Sequence, residues 1–274
     1  MDFAMFSKNG QILPMAEATI PLSNIEYAYG FGVYENLRVH DGCIAFESDH
    51  IDRLLHSAEV IGLRHTLDKK TVSARLQALV KETGDGVYNL KMLLIGARNP
   101  EDCPLIILPL SPLFPDRKLY RDGATAITFT HERMFPGAKT LNMFPSYYAY
   151  SQARAKGCYD CLFVNRQGHV TEGTRTNFFT IRGKTLYSPH DKDILEGVTR
   201  IHVLKVAKEN GFTLETQDLP LTDIGSFDGA FLTSTSSKIM PLSRIDAIEW
   251  KEIPKELKAL MKAFDEYLAD SKQE

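Results

Sequence analysis

No apolar run in this sequence is long enough to cross a bilayer. The longest, such as Leu105–Leu110, fall far short of the ~20 residues that a spanning helix needs. Cysteine is scarce too: four in 274 residues do not make a disulfide scaffold. There is no basic excess, and a formal net charge of −3 argues against nucleic acid or an anionic membrane as the main partner. The opening Met1-Asp2-Phe3-Ala4-Met5 lacks the basic-then-apolar layout of a signal peptide, so a cytoplasmic protein is expected. Repeats and low-complexity tracts are absent.

Cys158 and Cys161 form a CxxC pair. A zinc site wants four ligands, and Cys43 and Cys103 stand alone in the sequence. A thioredoxin-like pair would open a helix, whereas this one follows the helix-stop residue Gly157 and leads into Leu162-Phe163-Val164. The expectation is two reduced cysteines at a strand start, and no metal.

What is present is ordinary for a soluble globular protein: 43% hydrophobic and 24% charged residues leave ample material for a core. The length suits one large domain or two modest ones. Ile51, Leu54, Leu55, Ala58 and Ile61 recur at helical spacing, which predicts a helix over 49–61. A second helix is predicted over 72–81, then strands over 87–95 and 105–110. Pro115, with charged neighbours, breaks the periodicity there. We therefore expect a small N-terminal α+β domain over 1–114, a linker over 115–121 and a larger domain over 122–274. In that second part, strands are predicted over 125–130, 162–165, 177–181, 213–216 and 230–233. Helices are predicted over 147–156, 198–210 and 257–268, the first two stopped by Gly157 and Gly211. The fold class is α+β with two domains, and a cleft between them is expected.

Four places could carry chemistry. The helix opening at Val198 has Gly197 before it, and its first turn carries Thr199 and Arg200 where acidic residues are usual, which suits a bound phosphate. Thr233-Ser234-Thr235-Ser236-Ser237 closes an apolar strand with five hydroxyls, a second anion cradle. Each could instead be an ordinary helix cap or a solvated turn. Lys139 lies between Ala138 and Thr140-Leu141, where burial would lower an amine's pKa and ready it for a carbonyl cofactor, although a lysine taken alone is more often a surface charge. Glu172, just before the strand at Asn177, offers a carboxylate of the kind that keeps a pyridine nitrogen protonated.

Six blocks, in order, make the chain resemble the class IV (fold type IV) aminotransferases. They are Tyr29-Gly30-Phe31-Gly32-Val33-Tyr34-Glu35, His50-Ile51-Asp52-Arg53-Leu54, Lys139-Thr140-Leu141-Asn142, Thr171-Glu172-Gly173 with Asn177-Phe178-Phe179, Leu195-Glu196-Gly197-Val198-Thr199-Arg200, and the Ser/Thr run 233–237. The resemblance implies pyridoxal 5'-phosphate, a cofactor cleft between two domains, and a homodimer in which a loop of the neighbouring subunit closes the site. It further implies that Lys139 forms the Schiff base and shuttles the proton. Glu172 would meet the ring nitrogen. Arg53, Gly197, Val198, Thr199, Ser234 and Thr235 would hold the phosphate. Departures are Met143, where branched-chain members often have tyrosine, Phe31 in place of an aspartate, and Ser188 in place of a threonine.

Substrate residues expected from the same resemblance are Tyr34, Arg38, Lys91 and Arg98. Val33-Tyr34-Glu35 and the Ser/Thr run lean toward D-amino-acid aminotransferases, with 2-oxoglutarate or pyruvate as acceptor. Arg38 is shared with branched-chain L-amino-acid members. An (R)-amine transaminase is a further alternative. An aminodeoxychorismate lyase is opposed by Glu35 and Asn36, where such members tend to carry threonines. A phosphate-binding module without chemistry is opposed by the joint presence of Lys139 and Glu172.

Overall fold

The computed structural model describes residues 3–112 and 114–270. The chain forms two compact units: Met1–Leu113 with Ala138–Met143, and Phe114–Gly137 with Phe144–Glu274.

The first unit contains β1 (Met5–Lys8), β2 (Gln11–Pro14), the short helix α1 (Ile25–Ala28), β3 (Gly32–His40), β4 (Cys43–Ile44), α2 (Glu47–Val60), α3 (Lys69–Thr83), β5 (Val87–Ile95) and β6 (Leu105–Leu110). Its six strands form an antiparallel sheet in the order β2-β1-β6-β5-β3-β4. Strand alternation gives the sheet two different faces. Val33, Leu37, Val39, Leu90, Met92 and Leu94 pack with Ile51, Leu54 and Ala58 of α2 and Val72, Leu76 and Leu79 of α3. Each fully buried valine, leucine, isoleucine or methionine among them stabilises the fold by about 1.5–3 kcal/mol. The intervening residues look the other way, in the register Tyr34–Leu93, Asn36–Lys91 and Arg38–Asn89. Helix α2 spends its first turn on Glu47 and Asp49, which suit the positive helix end. Helix α3 is capped by Asp68, whose side chain accepts from the Thr71 N–H at 2.7 Å.

Residues 138–143 belong to this unit, although the sequence suggests an uninterrupted second domain from 122 onward. The reason is backbone pairing. The Tyr34 N–H donates to the Lys139 carbonyl at 2.9 Å, and the Leu141 N–H to the Gly32 carbonyl at 2.8 Å. Gly32 permits this approach, since a Cβ there would stand 2.7 Å from Cδ1 of Leu141 as well as 2.7 Å from the Leu94 carbonyl oxygen.

The expected linker is also more than a linker. Residues 117–122 form the helix α4 (Arg117–Asp122). Asp116 caps it by accepting from the Lys118 N–H at 2.9 Å, and Gly123, at φ 85°, stops it.

The second unit continues with β7 (Ala124–Thr130), α5 (Phe144–Ala155), β8 (Asp160–Val164), β9 (Val170–Gly173), β10 (Asn177–Arg182), β11 (Thr185–Ser188), α6 (Val198–Glu209), β12 (Thr213–Thr216), β13 (Gly229–Ser234), β14 (Lys238–Ile245), β15 (Ile248–Glu249) and α7 (Lys255–Asp270). The main strand path runs β12-β11-β10-β13-β14-β7-β8-β9, and β9 meets β10 again at Glu172–Asn177, so six strands close on themselves. Val203 and Val206 of α6 and Leu257, Leu260 and Phe264 of α7 cover Phe179, Ile181 and Phe231 on the sheet. Among the described residues, no helix is long and apolar enough to cross a membrane.

Candidate active site

The site residues fall into two groups, one in each unit. In the first, the alternation of β3 sends Glu35 toward α2 while Tyr34 faces away. A carboxylate in an apolar row between Val33 and Leu37 has to be compensated. His50 and Arg53, three residues apart on α2, do this. Nδ1 of His50 lies 2.8 Å from Oε2 of Glu35. Arg53 donates through Nε to Oε1 at 2.6 Å and through Nη2 to Oε2 at 2.8 Å. Burial pushes the Glu35 carboxyl up, but Arg53 and His50 together outweigh it and hold the pKa at about 2. Burial lowers the pKa of His50, against the pull of Glu35. One helical turn further along α2, the Ser57 hydroxyl accepts from the Lys139 N–H at 3.1 Å. A single helix face thus fixes Arg53 and the backbone of Lys139.

On the opposite sheet face, the Lys139 ammonium lies 4.6 Å from the centroid of the Tyr34 ring, and that of Lys91 lies 5.7 Å from it. Lys91 and Asn36 are cross-strand partners, as are Arg38 and Asn89. No residue of β3, β5 or β6 on this face is acidic. The face is therefore positively charged around an aromatic ring, which suits a small anion. The structure brings Tyr34, Lys91 and Lys139 together. Arg98 is exposed in the turn that follows β5.

In the second unit, Asn177 of β10 is the register partner of Glu172 on β9 and of Thr233 on β13, so the three lie side by side on one face. The Asn177 amide donates to the Leu195 carbonyl at 2.6 Å, and the Leu195 N–H donates to Oε2 of Glu172 at 3.2 Å. The segment leading into α6 is thereby tied to the strands that carry Glu172. Gly197 caps α6 with no side-chain hydrogen bond, and the first turn carries no acid. A Cβ on Gly197 would lie 2.1 Å from Oδ1 of Asn177, so only glycine fits. Val198 and Thr199 are buried. In the Ser/Thr turn, the Ser234 hydroxyl bonds those of Ser237 at 2.6 Å and Ser236 at 3.2 Å, while Thr235 is half-buried at its tip. Arg200 does not point to solvent. It is buried and donates to Ser188 at 3.3 Å and to Asp191 at 2.7 Å, bracing the loop before α6.

Glu35, His50, Ser57, Arg133 and Asn177 have no role assigned from the sequence alone. Of these, only Glu35 carries a local signal, a charge at a core position of a strand. Arg133 lies with Nε 2.5 Å from Oε1 of Glu172. Cys158 and Cys161 are both buried free thiols, and Cys161 is pushed up to about 12 by burial, an unreactive state. Among the described residues no cluster of His, Cys, Asp or Glu could hold a metal.

Residues 32–245 match the family described as amino-transferase class IV. A putative branched-chain-amino-acid aminotransferase of Methanocaldococcus jannaschii is 30% identical over 93% of this chain and 93% of its own length. A D-alanine aminotransferase of Listeria innocua is also 30% identical, over 88% and 87%. Among solved structures, a branched-chain amino acid aminotransferase from Escherichia coli superposes with a TM-score of 0.88 at 20% identity, covering 97% of this chain and 94% of that one.

Proposed function

The chain belongs to the class IV aminotransferases, pyridoxal-phosphate enzymes that move an amino group between an amino acid and a 2-oxo acid, and from that premise we propose that Lys139 holds the cofactor and that the amino donors are D-amino acids. The observation that carries the assignment of Lys139 is the acid-free face of the first unit, where its ammonium lies 4.6 Å from the Tyr34 ring, while the choice of D-amino acids rests on Val33-Tyr34-Glu35 and the Ser/Thr run 233–237. An amine that must act on an amino acid needs cationic surroundings for the substrate carboxylate.

The residues fit the cofactor. Its phosphate suits the start of α6, where Gly197 leaves the backbone N–H groups of Val198 and Thr199 without a side-chain cap. The hydroxyls of Ser234 and Thr235 suit a phosphate, and so does the guanidinium of Arg53 in the first unit, oriented by Glu35. The buried carboxylate of Glu172 suits a protonated ring nitrogen. When bound, the cofactor supplies a carbonyl carbon for amino nitrogen and a ring that draws electrons from the substrate Cα. Lys139 Nζ then moves the proton at that carbon. Tyr34 bounds the substrate, and Arg38, Lys91 and Arg98 are the donors for its carboxylates.

A second copy of the chain completes this reading. Leu22, Ile25, Tyr27, Tyr29 and Phe31 are exposed along one short segment of the first unit, an apolar stretch that a homodimer would cover. We place the enzyme in the cytoplasm.

Gly197→Ala is expected to weaken pyridoxal-phosphate binding by about 10- to 100-fold, on the scale at which disturbing the support of a bound group acts. The Cβ would displace Asn177 or the helix start. A binding titration checks this, and wild-type affinity would remove Gly197 from the phosphate site. Substrate type is read by incubating the holoenzyme with 2-oxoglutarate and, separately, D-alanine, L-leucine or (R)-1-phenylethylamine, and measuring glutamate. D-Alanine is expected to be the productive donor. The relative from M. jannaschii and the presence of Arg38 favour branched-chain L-amino acids as the second reading, and glutamate from L-leucine alone would establish it.

A further inference from the structure

We propose that Arg133 is a positioning residue for the Glu172 carboxylate at the cofactor's ring nitrogen, an inference that rests on the role given to Glu172 above. The Glu172 side chain is 3% exposed, and a carboxylate so enclosed stays ionised and in place only with a counter-charge. Arg133 supplies one, with Nε 2.5 Å from Oε1. The Nε–H does not point along that line, so the contact is one of charge rather than a straight hydrogen bond. The other oxygen, Oε2, receives the Leu195 N–H at 3.2 Å. The carboxylate is thus gripped from two sides, by a cation on Oε1 and a backbone amide on Oε2.

Arg133 is itself held. Its guanidinium carbon lies 5.9 Å from the centroid of the fully buried Phe163 ring on β8, and the side chain is 20% exposed. A planar cation resting on an aromatic face presents its edge in a fixed direction. The residue comes from the segment after β7, outside every block that carries the family resemblance. Its effect on the cofactor passes entirely through Glu172, so it should be felt only by a ligand with a ring nitrogen.

The test compares apoenzyme affinity for pyridoxal phosphate and for its 1-deaza analogue, in which carbon replaces the ring nitrogen. The wild type is expected to prefer pyridoxal phosphate. Arg133→Met is expected to shrink that preference by about tenfold, the scale on which losing the partner of a binding group acts. Affinity for the analogue should be unchanged, and Arg133→Lys should restore part of the preference. Equal weakening of both ligands, or an unchanged preference, would overturn the proposal. If Arg133→Met does not fold, Arg133→Gln is read in the same way. Glu172→Gln separates the two layers. If it leaves the preference intact, the role of Glu172 fails. If it abolishes the preference while Arg133→Met does not, only the role of Arg133 fails.

Discussion

Lys139→Ala is expected to abolish transamination, lowering the rate by at least about 10³-fold, because it removes both the nitrogen that holds the cofactor and the group that moves the proton at Cα. The fold should survive. Lys139 is joined to its unit through its backbone, with its N–H on Ser57 and its carbonyl accepting from Tyr34, and alanine keeps both. The side chain's contact is with the Tyr34 ring, worth about 0.5–2 kcal/mol at most. Circular dichroism should therefore match the wild type while glutamate formation is lost. Retained turnover would contradict the assignment.

Glu35→Gln should do the reverse and act first on stability. It leaves Arg53 charged in a buried setting without its carboxylate, which costs about 3–5 kcal/mol. The effect depends on pH, with a sign that can be worked out. The folded-state pKa of Glu35 is depressed from 4.5 to about 2. Its stabilising contribution is therefore fully present above about pH 4.5 and is lost as pH falls through about 2. His50, lowered from 6.5, adds a loss of the same sign that begins below that value. Urea denaturation of wild type and variant at pH 7 and pH 3 should show a gap that narrows in acid. A gap below about 1 kcal/mol at pH 7, the scale of an exposed ion pair, would deny the cluster its role.

Regular elements were largely legible from periodicity. The strands Val87–Ile95, Leu105–Leu110 and Thr213–Thr216 lie where alternation and apolar runs place them, and α6 begins at Val198. α4 was hidden because six residues make too little periodicity, even though Asp116 and Gly123 mark its ends. The location of Lys139 was not legible at all. It depends on pairing with β3, more than 100 residues earlier, and on a close approach that only Gly32 allows. The same holds for Arg133 and Glu172, and for Leu195 between Glu172 and Asn177. Contacts between distant segments leave no local pattern, whereas Glu35 did leave one, as a charge in an apolar strand row.

The central claim is that Lys139 carries pyridoxal phosphate. It is tested by reducing the holoenzyme with borohydride, digesting it and mapping the phosphopyridoxyl group by mass spectrometry. The label is expected on the peptide containing Ala138-Lys139-Thr140. A label on any other lysine, or none on a protein that binds the cofactor, would contradict it.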